Sequence, residues 1–232
     1  MQVMLLAAGR GTRLGELSQQ VPKILVEIGG RPLLARQLDY LTAEGADLIV
    51  MNAHHLAEQV LEFAAASGCA RLQTIVEPEL LGTAGGLRNA LPRFRSGEPV
   101  VVMYGDTLLD VRLGALLAAH IGSGAAGTIG VTALADTTGK GVAEVDDGDA
   151  VVRFQEKPDT PCPGLASAGL CVLEPELIEL IPEGARLDIG GDLLPLALAR
   201  GLRLRVHRLD GAWIDIGTPA ALAAAREEVT AR

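Results

Sequence analysis

The chain has 232 residues, 49% of them apolar but only 3% aromatic, so a large core is available and must be built from Ala, Leu and Val. Its formal charge of −9 argues against a nucleic-acid backbone as partner, because phosphate neutralisation needs clustered Lys and Arg. A small anionic substrate served by a few local cations stays open.

The first residues, MQVMLLAAG, carry an apolar run without a basic flank, and Gly9 breaks it. The run is too short to span a bilayer, so Val3 to Ala7 is expected to be a buried first strand of a cytoplasmic protein with no membrane partner. Helical spacing follows over Pro32 to Glu44, His55 to Ala66 and Ala84 to Leu91. Buried strands are expected at Leu48 to Asn52, Leu72 to Val76 and Val100 to Tyr104. This alternation implies crossover units and a mostly parallel sheet, with functional loops at the carboxyl ends of the strands. Gly122 to Gly127 reads as a loop. Beyond it, Thr128 to Ala133, Gly141 to Asp146 and Val151 to Gln155 are turn-separated strands of an antiparallel or mixed addition, joined by Ala166 to Leu173. Asp192 is expected to cap the helix containing Pro195. The basic stretch Arg200 to Arg208 alternates with Leu and Val as the solvent face of a strand, and Pro219 to Val229 is a closing helix. Cys69, Cys162 and Cys171 fit no metal-ligand spacing and are expected as buried or half-buried thiols. With no linker and no repeat, residues 1–232 read as one domain.

Ala8, Gly9 and Gly11 clear side chains away directly after the first strand, so backbone N–H groups there can approach phosphate oxygens. Arg10, Arg13 and Lys23 can add charge for a polyphosphate. A dinucleotide fingerprint needs glycine where Leu14 stands, and a Walker loop needs Gly-Lys-Ser/Thr, which is absent. On the glycines alone, the segment is equally a tight turn with surface arginines. Asp106 after a strand and Asp215 before the last helix are, by spacing alone, ordinary turn or cap residues.

The whole string from Leu6 through Pro22-Lys23 to Gly30-Arg-Pro32 resembles the N-terminal signature of the sugar-1-phosphate nucleotidylyltransferases. Later motifs follow in family order: Glu77 with Leu81-Gly-Thr-Ala-Gly-Gly86, Gly105-Asp106, Gly141-Val-Ala-Glu144, Glu156-Lys-Pro158, Ala168-Gly169 and Trp213 to Pro219. The resemblance covers nearly all of the chain. It implies a Rossmann-like three-layer α/β sandwich with a mixed, mostly parallel sheet. It also implies the joining of a nucleoside triphosphate to a sugar 1-phosphate with release of pyrophosphate.

Carried over by motif, Arg13 and Lys23 are the catalytic cations. Leu6, Ala8, Gly9, Gly11, Thr12, Glu77, Gly82 and Thr83 would contact the nucleotide. Gly141, Glu156, Lys157 and Gly169 would contact the sugar phosphate, and Asp106 with Asp215 would hold Mg²⁺. At Glu77 thymidylyltransferases carry a glutamine that reads the pyrimidine. An ionised carboxylate only accepts, which suits the two adjacent donors of guanine and favours GTP with a mannose- or heptose-type phosphate. Glu77 as a cap for the loop before Pro78 is the alternative, as is a UTP- or dTTP-dependent member of the same family. Two other classes share parts of the pattern. A nucleotide-sugar-dependent glycosyltransferase would not need the Arg13–Lys23 loop, and a non-catalytic nucleotide-sugar-binding regulator would not need both acids and both cations.

Overall fold

A computed structural model describes every residue except Asp159, Pro161 and Arg232. Strand β1 (Gln2–Leu6) runs into the glycine-rich loop, a single turn at Thr12–Leu14, α1 (Leu17–Gln20) and a second turn at Lys23–Leu25. A small ribbon of β2 (Glu27–Ile28) and β3 (Arg31–Pro32) precedes α2 (Leu33–Ala43). Then come β4 (Leu48–Ala53), α3 (Ala57–Ala66), β5 (Leu72–Val76), α4 (Gly82–Ala90) and β6 (Val100–Tyr104). The second half holds β7 (Thr107–Asp110), α5 (Leu113–Ser123), β8 (Gly127–Leu134), β9 (Gly141–Val145), β10 (Val151–Glu156), β11 (Gly164–Leu173) and α6 (Pro175–Ile178). A π turn at Ile189–Leu193 leads into α7 (Leu194–Ala199), followed by β12 (Leu204–Arg208), β13 (Ala212–Asp215) and α8 (Pro219–Ala231).

Strands β6, β1, β4 and β5 lie side by side and parallel, the pattern that buried apolar runs with helical crossovers produce. The later strands join with mixed polarity. β11 pairs antiparallel with β8 along one edge, while β9 and β6 share the other edge, β9 at Leu165–Ala166 and β6 at Leu170–Leu173. The sheet therefore forks between Ala166 and Leu170, where the β8 register also shifts.

Successive residues of β1 and β6 alternate between two cores. Met4, Val100 and Val102 face a cluster that includes Leu87 of α4, Leu177 of α6 and Leu194 of α7. Val3, Leu5, Val101 and Met103 face a second cluster with Leu34 of α2, Val60 of α3 and Leu116 of α5. Period-two alternation with apolar residues on both sides is what a sheet covered by helices on both faces requires. A third cluster, with Leu14, Ile28, Leu33, Ile216 and Leu222, packs α8 against the N-terminal loop.

Three expectations need correction. The stretch Gly122 to Gly127 is not a loop throughout: Gly122 and Ser123 end α5 and Gly127 opens β8, with Gly124 at φ +57 closing the helix. Cys162 is exposed, while Cys69 is half-buried and Cys171 buried. Asp192 does not cap α7. Asp188 holds the N-cap position of the π turn, and Asp192 lies in the first turn, its carboxylate accepting the Asp188 N–H at 2.7 Å. Of the Arg200–Arg208 stretch only Leu204–Arg208 forms a strand, β12, with Leu204 and Val206 turned inward, while Arg200 closes α7. No helix among the described residues is long and apolar enough to cross a membrane.

Candidate active site

The chain passes from β1 to β4 on one side and returns to β6 on the other, so a crevice opens at the carboxyl ends of these strands. Two cavities of about 230 and 240 Å³ lie there, and Thr83, Tyr104 and Asp106 belong to both. They form one continuous groove.

The first cavity is walled by Leu6 to Gly9, Lys23, Asn52, Gly82 and Asp188 among others. Asn52, next to last in β4, accepts the Ala7 N–H at 2.7 Å, which fixes the start of the glycine-rich loop. A side chain at Gly9 would meet nothing within 4 Å, so that surface is bare backbone open to a ligand. At Gly11, φ is +63 and a Cβ would stand 3.2 Å from the Lys23 Cβ. Gly11 and Thr12 thus build the turn that presents Arg13, rather than the groove wall itself.

Two lysine–aspartate pairs line the groove, one at the junction through Asp106 and one within the second cavity. Lys23 Nζ is 2.5 Å from Asp106 Oδ2, and Lys140 Nζ is 2.8 Å from Asp215 Oδ2. The acids, distant in sequence, are brought together by the antiparallel ribbon of β7 and β13. Thr107 pairs with Asp215 there, and the Ile216 N–H donates to Asp106 O at 2.9 Å. Burial alone would raise the Asp215 carboxyl. The hydrogen bond and charge of Lys140, the charge of Lys23 and the Gly217 N–H outweigh it and hold the group below its ordinary value. A Cβ on Gly217 would come within 2.8 Å of the Arg13 guanidinium and 2.7 Å of the Asp215 carboxylate, so this bare position lets both approach. Two carboxylates on adjacent backbones, offering oxygen donors only, fit a small hard cation such as Mg²⁺, which takes few protein ligands beside substrate oxygens. No larger grouping of His, Cys, Asp or Glu suited to a metal exists among the described residues.

The second cavity includes Gly141, Glu156, Lys157 and Gly169. Gly141 and Gly190 leave room for the Glu156 carboxylate, which a Cβ at either position would overlap. Lys157 adopts φ +47, donates its N–H to Lys140 O at 3.1 Å and pairs its ammonium with Glu156 at 3.2 Å. Gly169, at φ +69, sits where the sheet forks, and a Cβ there would press on the Tyr104 ring at 3.1 Å. Burial, foremost, raises the Tyr104 phenol well above its ordinary value, against a hydrogen bond with Thr83 that lowers it.

Glu77 departs from its expected role. It is 1% exposed, with one carboxylate oxygen accepting from Asn52 Nδ2 at 2.6 Å and the other from the Leu81 N–H at 3.2 Å. With each oxygen bonded to the strand end or to the loop before α4, and the side chain outside the lining of both cavities, it caps that loop instead of reading a base. The α4 N-terminus is likewise engaged within the chain. Asp188 takes the Thr83 N–H at 2.9 Å, and Leu187 O takes those of Ala84 and Gly85 at 2.9 and 3.1 Å. Gly82 and Thr83 therefore line the groove without offering the helix end. Asn52, Tyr104, Lys140 and Asp188 also belong to the site and were not foreseen. The visible signals were a polar residue near the end of an apolar strand and a lysine directly before Gly141.

The nucleotidyl transferase family model matches residues 2–232. The chain is 32% identical over 233 residues to a UTP–glucose-1-phosphate uridylyltransferase of Synechocystis, covering 94% of this chain and 60% of that protein. It is 30% identical to a mannose-1-phosphate guanylyltransferase of Mycobacterium tuberculosis, covering 93% of this chain and 61% of that protein. The crystal structure of HddC from Yersinia pseudotuberculosis complexed with GMP-PN superposes with a TM-score of 0.85 at 25% identity, covering 98% of this chain and 99% of that one. The chain thus spans about 60% of the length of the curated relatives it matches.

Proposed function

The chain belongs to the nucleotidyl transferase family, and from that premise we propose that it transfers a nucleotidyl group from a nucleoside triphosphate to a sugar 1-phosphate, releasing pyrophosphate. The observation that carries this reading is the groove in which Asp106, Asp215, Lys23 and Arg13 converge beside bare backbone at Gly9.

A sugar 1-phosphate is already ionised at neutral pH, so its oxygen can attack the nucleotide α-phosphorus without a general base. The protein's task is to hold two anions in line and to balance the charge on the transferring group. The Leu6–Gly9 backbone, with Gly82 and Thr83, would bed the nucleotide in the first cavity. Glu156, Lys157, Gly141 and Gly169 would hold the sugar phosphate in the second. Arg13 and Lys23, at the junction, would face the transferring phosphoryl group. Asp106 and Asp215 would hold Mg²⁺, which when bound supplies further charge neutralisation and orientation.

The guanylyltransferase relative and the neighbour bound to GMP-PN support GTP, and the former supports a mannose-type phosphate as its partner. Glu77 lends that preference no support. The uridylyltransferase relative carries the second reading, UTP as the donor. One experiment addresses activity, base and metal together: pyrophosphate release from a panel of triphosphates and sugar 1-phosphates, repeated with EDTA and with Asp106→Ala and Asp215→Ala. Release that is greatest with GTP, and lost in each of the other three conditions, is the expected result. Absence of release with every pair would favour a non-catalytic nucleotide-sugar-binding protein, and full activity in EDTA would remove the magnesium assignment.

A further inference from the structure

The groove holds a cation that the reading above leaves without a task. Lys140 lies in the loop before β9, with its ammonium 2.8 Å from Asp215 Oδ2 and 4.7 Å from the centre of the Trp213 ring. Its main chain is fixed from both directions: its N–H donates to Thr137 O at 3.0 Å, and its carbonyl accepts the Lys157 N–H at 3.1 Å. The backbone is therefore held while a four-carbon stem carries the charge, and the side chain stays 24% exposed. It faces the same cavity as Lys157 and Glu156.

Asp215 cannot keep this arrangement and also serve a divalent cation at full strength. The ammonium occupies one carboxylate oxygen and would repel a second positive charge at contact distance. Leaving Asp215, it need not leave the cavity, because a phosphate at Lys157 lies on the side to which its own main chain is tied.

We propose that Lys140 is an exchangeable cation of this site: it holds Asp215 before substrates bind and moves onto the sugar phosphate once a divalent cation takes that carboxylate. The proposal rests on the nucleotidylyl-transfer reading for the phosphate and for the divalent cation, and on the structure for the Lys140–Asp215 pair that the cation would displace.

The test uses the full chain and Lys140→Met, which keeps the apolar stem over Trp213 and removes the charge. By calorimetry the variant should bind Mg²⁺ about tenfold more tightly than the unaltered protein, because a competing charge is gone. Its KM for mannose 1-phosphate, assayed with GTP, should rise about tenfold with the KM for GTP unchanged, and Lys140→Arg should restore most of the loss. In the unaltered protein, Trp213 is the sole tryptophan, so Mg²⁺ should change its emission as the ammonium leaves the ring. Unchanged or weaker Mg²⁺ binding in the variant would overturn the proposal, as would an unchanged KM for the sugar phosphate. Should the variant not fold, the unaltered protein still decides: no Mg²⁺ binding, or binding without a change in Trp213 emission, overturns the exchange. A chain that showed no transfer with any substrate pair would remove the function, yet the Mg²⁺ titration and the Trp213 signal would still judge Lys140.

Discussion

Glu77 shows how one residue's role follows from where its acceptors are engaged. An ionised carboxylate has only acceptors, and here each oxygen already receives an N–H, from Asn52 and from Leu81. Gly86 seals the arrangement, since a Cβ there would stand 2.7 Å from Glu77 Oε1 and 2.6 Å from Asn52 Nδ2. Glu77→Gln conserves shape but turns an amide NH₂ toward a donor. One buried N–H then loses its partner, and the variant should be destabilised by about 1–3 kcal/mol, measured by urea unfolding. Its relative use of GTP and UTP should not move. A switch in base preference at unchanged stability would return Glu77 to the base.

The segment carrying Leu187 and Asp188 lies across the N-terminus of α4 and takes three of its N–H groups, so the helix is capped from a distant part of the chain. The approach is close enough that a Cβ on Gly85 would overlap the Ala185 carbonyl and come within 2.9 Å of the Leu81 Cβ. In an open helix, Gly→Ala stabilises by roughly 1 kcal/mol. Gly85→Ala should do the reverse here, lowering stability by about 1–3 kcal/mol through overpacking. It should also raise the KM for the triphosphate, because Asp188 and Gly82 line the groove. A thermal melt that moved upward would show that the two segments part easily, and the capping argument would fail. The same long-range logic separates the legible elements from the rest. β1, β4 and β6 announce themselves as short apolar runs between helical patterns. α5 does not, because Leu113 to Ile121 is apolar at nearly every position and no face stands out. The β7–β13 ribbon joins short segments that are remote in sequence, and only that pairing sets Asp106 beside Asp215. The glycine-rich loop and the two aspartates were visible through motif order. Asn52, Lys140 and Asp188 acquire their roles from contacts across the fold, which spacing does not encode.

At the scale of the whole molecule, the two cores beneath the sheet faces and the third cluster at α8 serve different ends. Leu116 is fully buried in the second core, between α5 and the sheet and away from the groove. Leu222 of α8 is 4% exposed and packs with Leu14, next to Arg13, and with Ile216, next to Asp215. The third cluster thus fastens together the two loops that carry site charges. Truncating either leucine to alanine should cost about 2–5 kcal/mol from lost burial and the cavity left behind. For a chain of this length each kcal/mol shifts Tm by roughly 2–4 °C, so both variants should melt about 4–20 °C lower. Their kinetics should diverge. Leu116→Ala, assayed well below its Tm, should keep the kcat of the unaltered chain, because the carboxyl ends of the strands do not depend on that packing. Leu222→Ala should lose kcat by about tenfold or more, since small misplacement of oriented charges is costly in an in-line transfer. Equal kcat in the two variants would mean that the ribbon and the glycine loop hold Arg13 and Asp215 without help from α8, and the role given to the third cluster would fall.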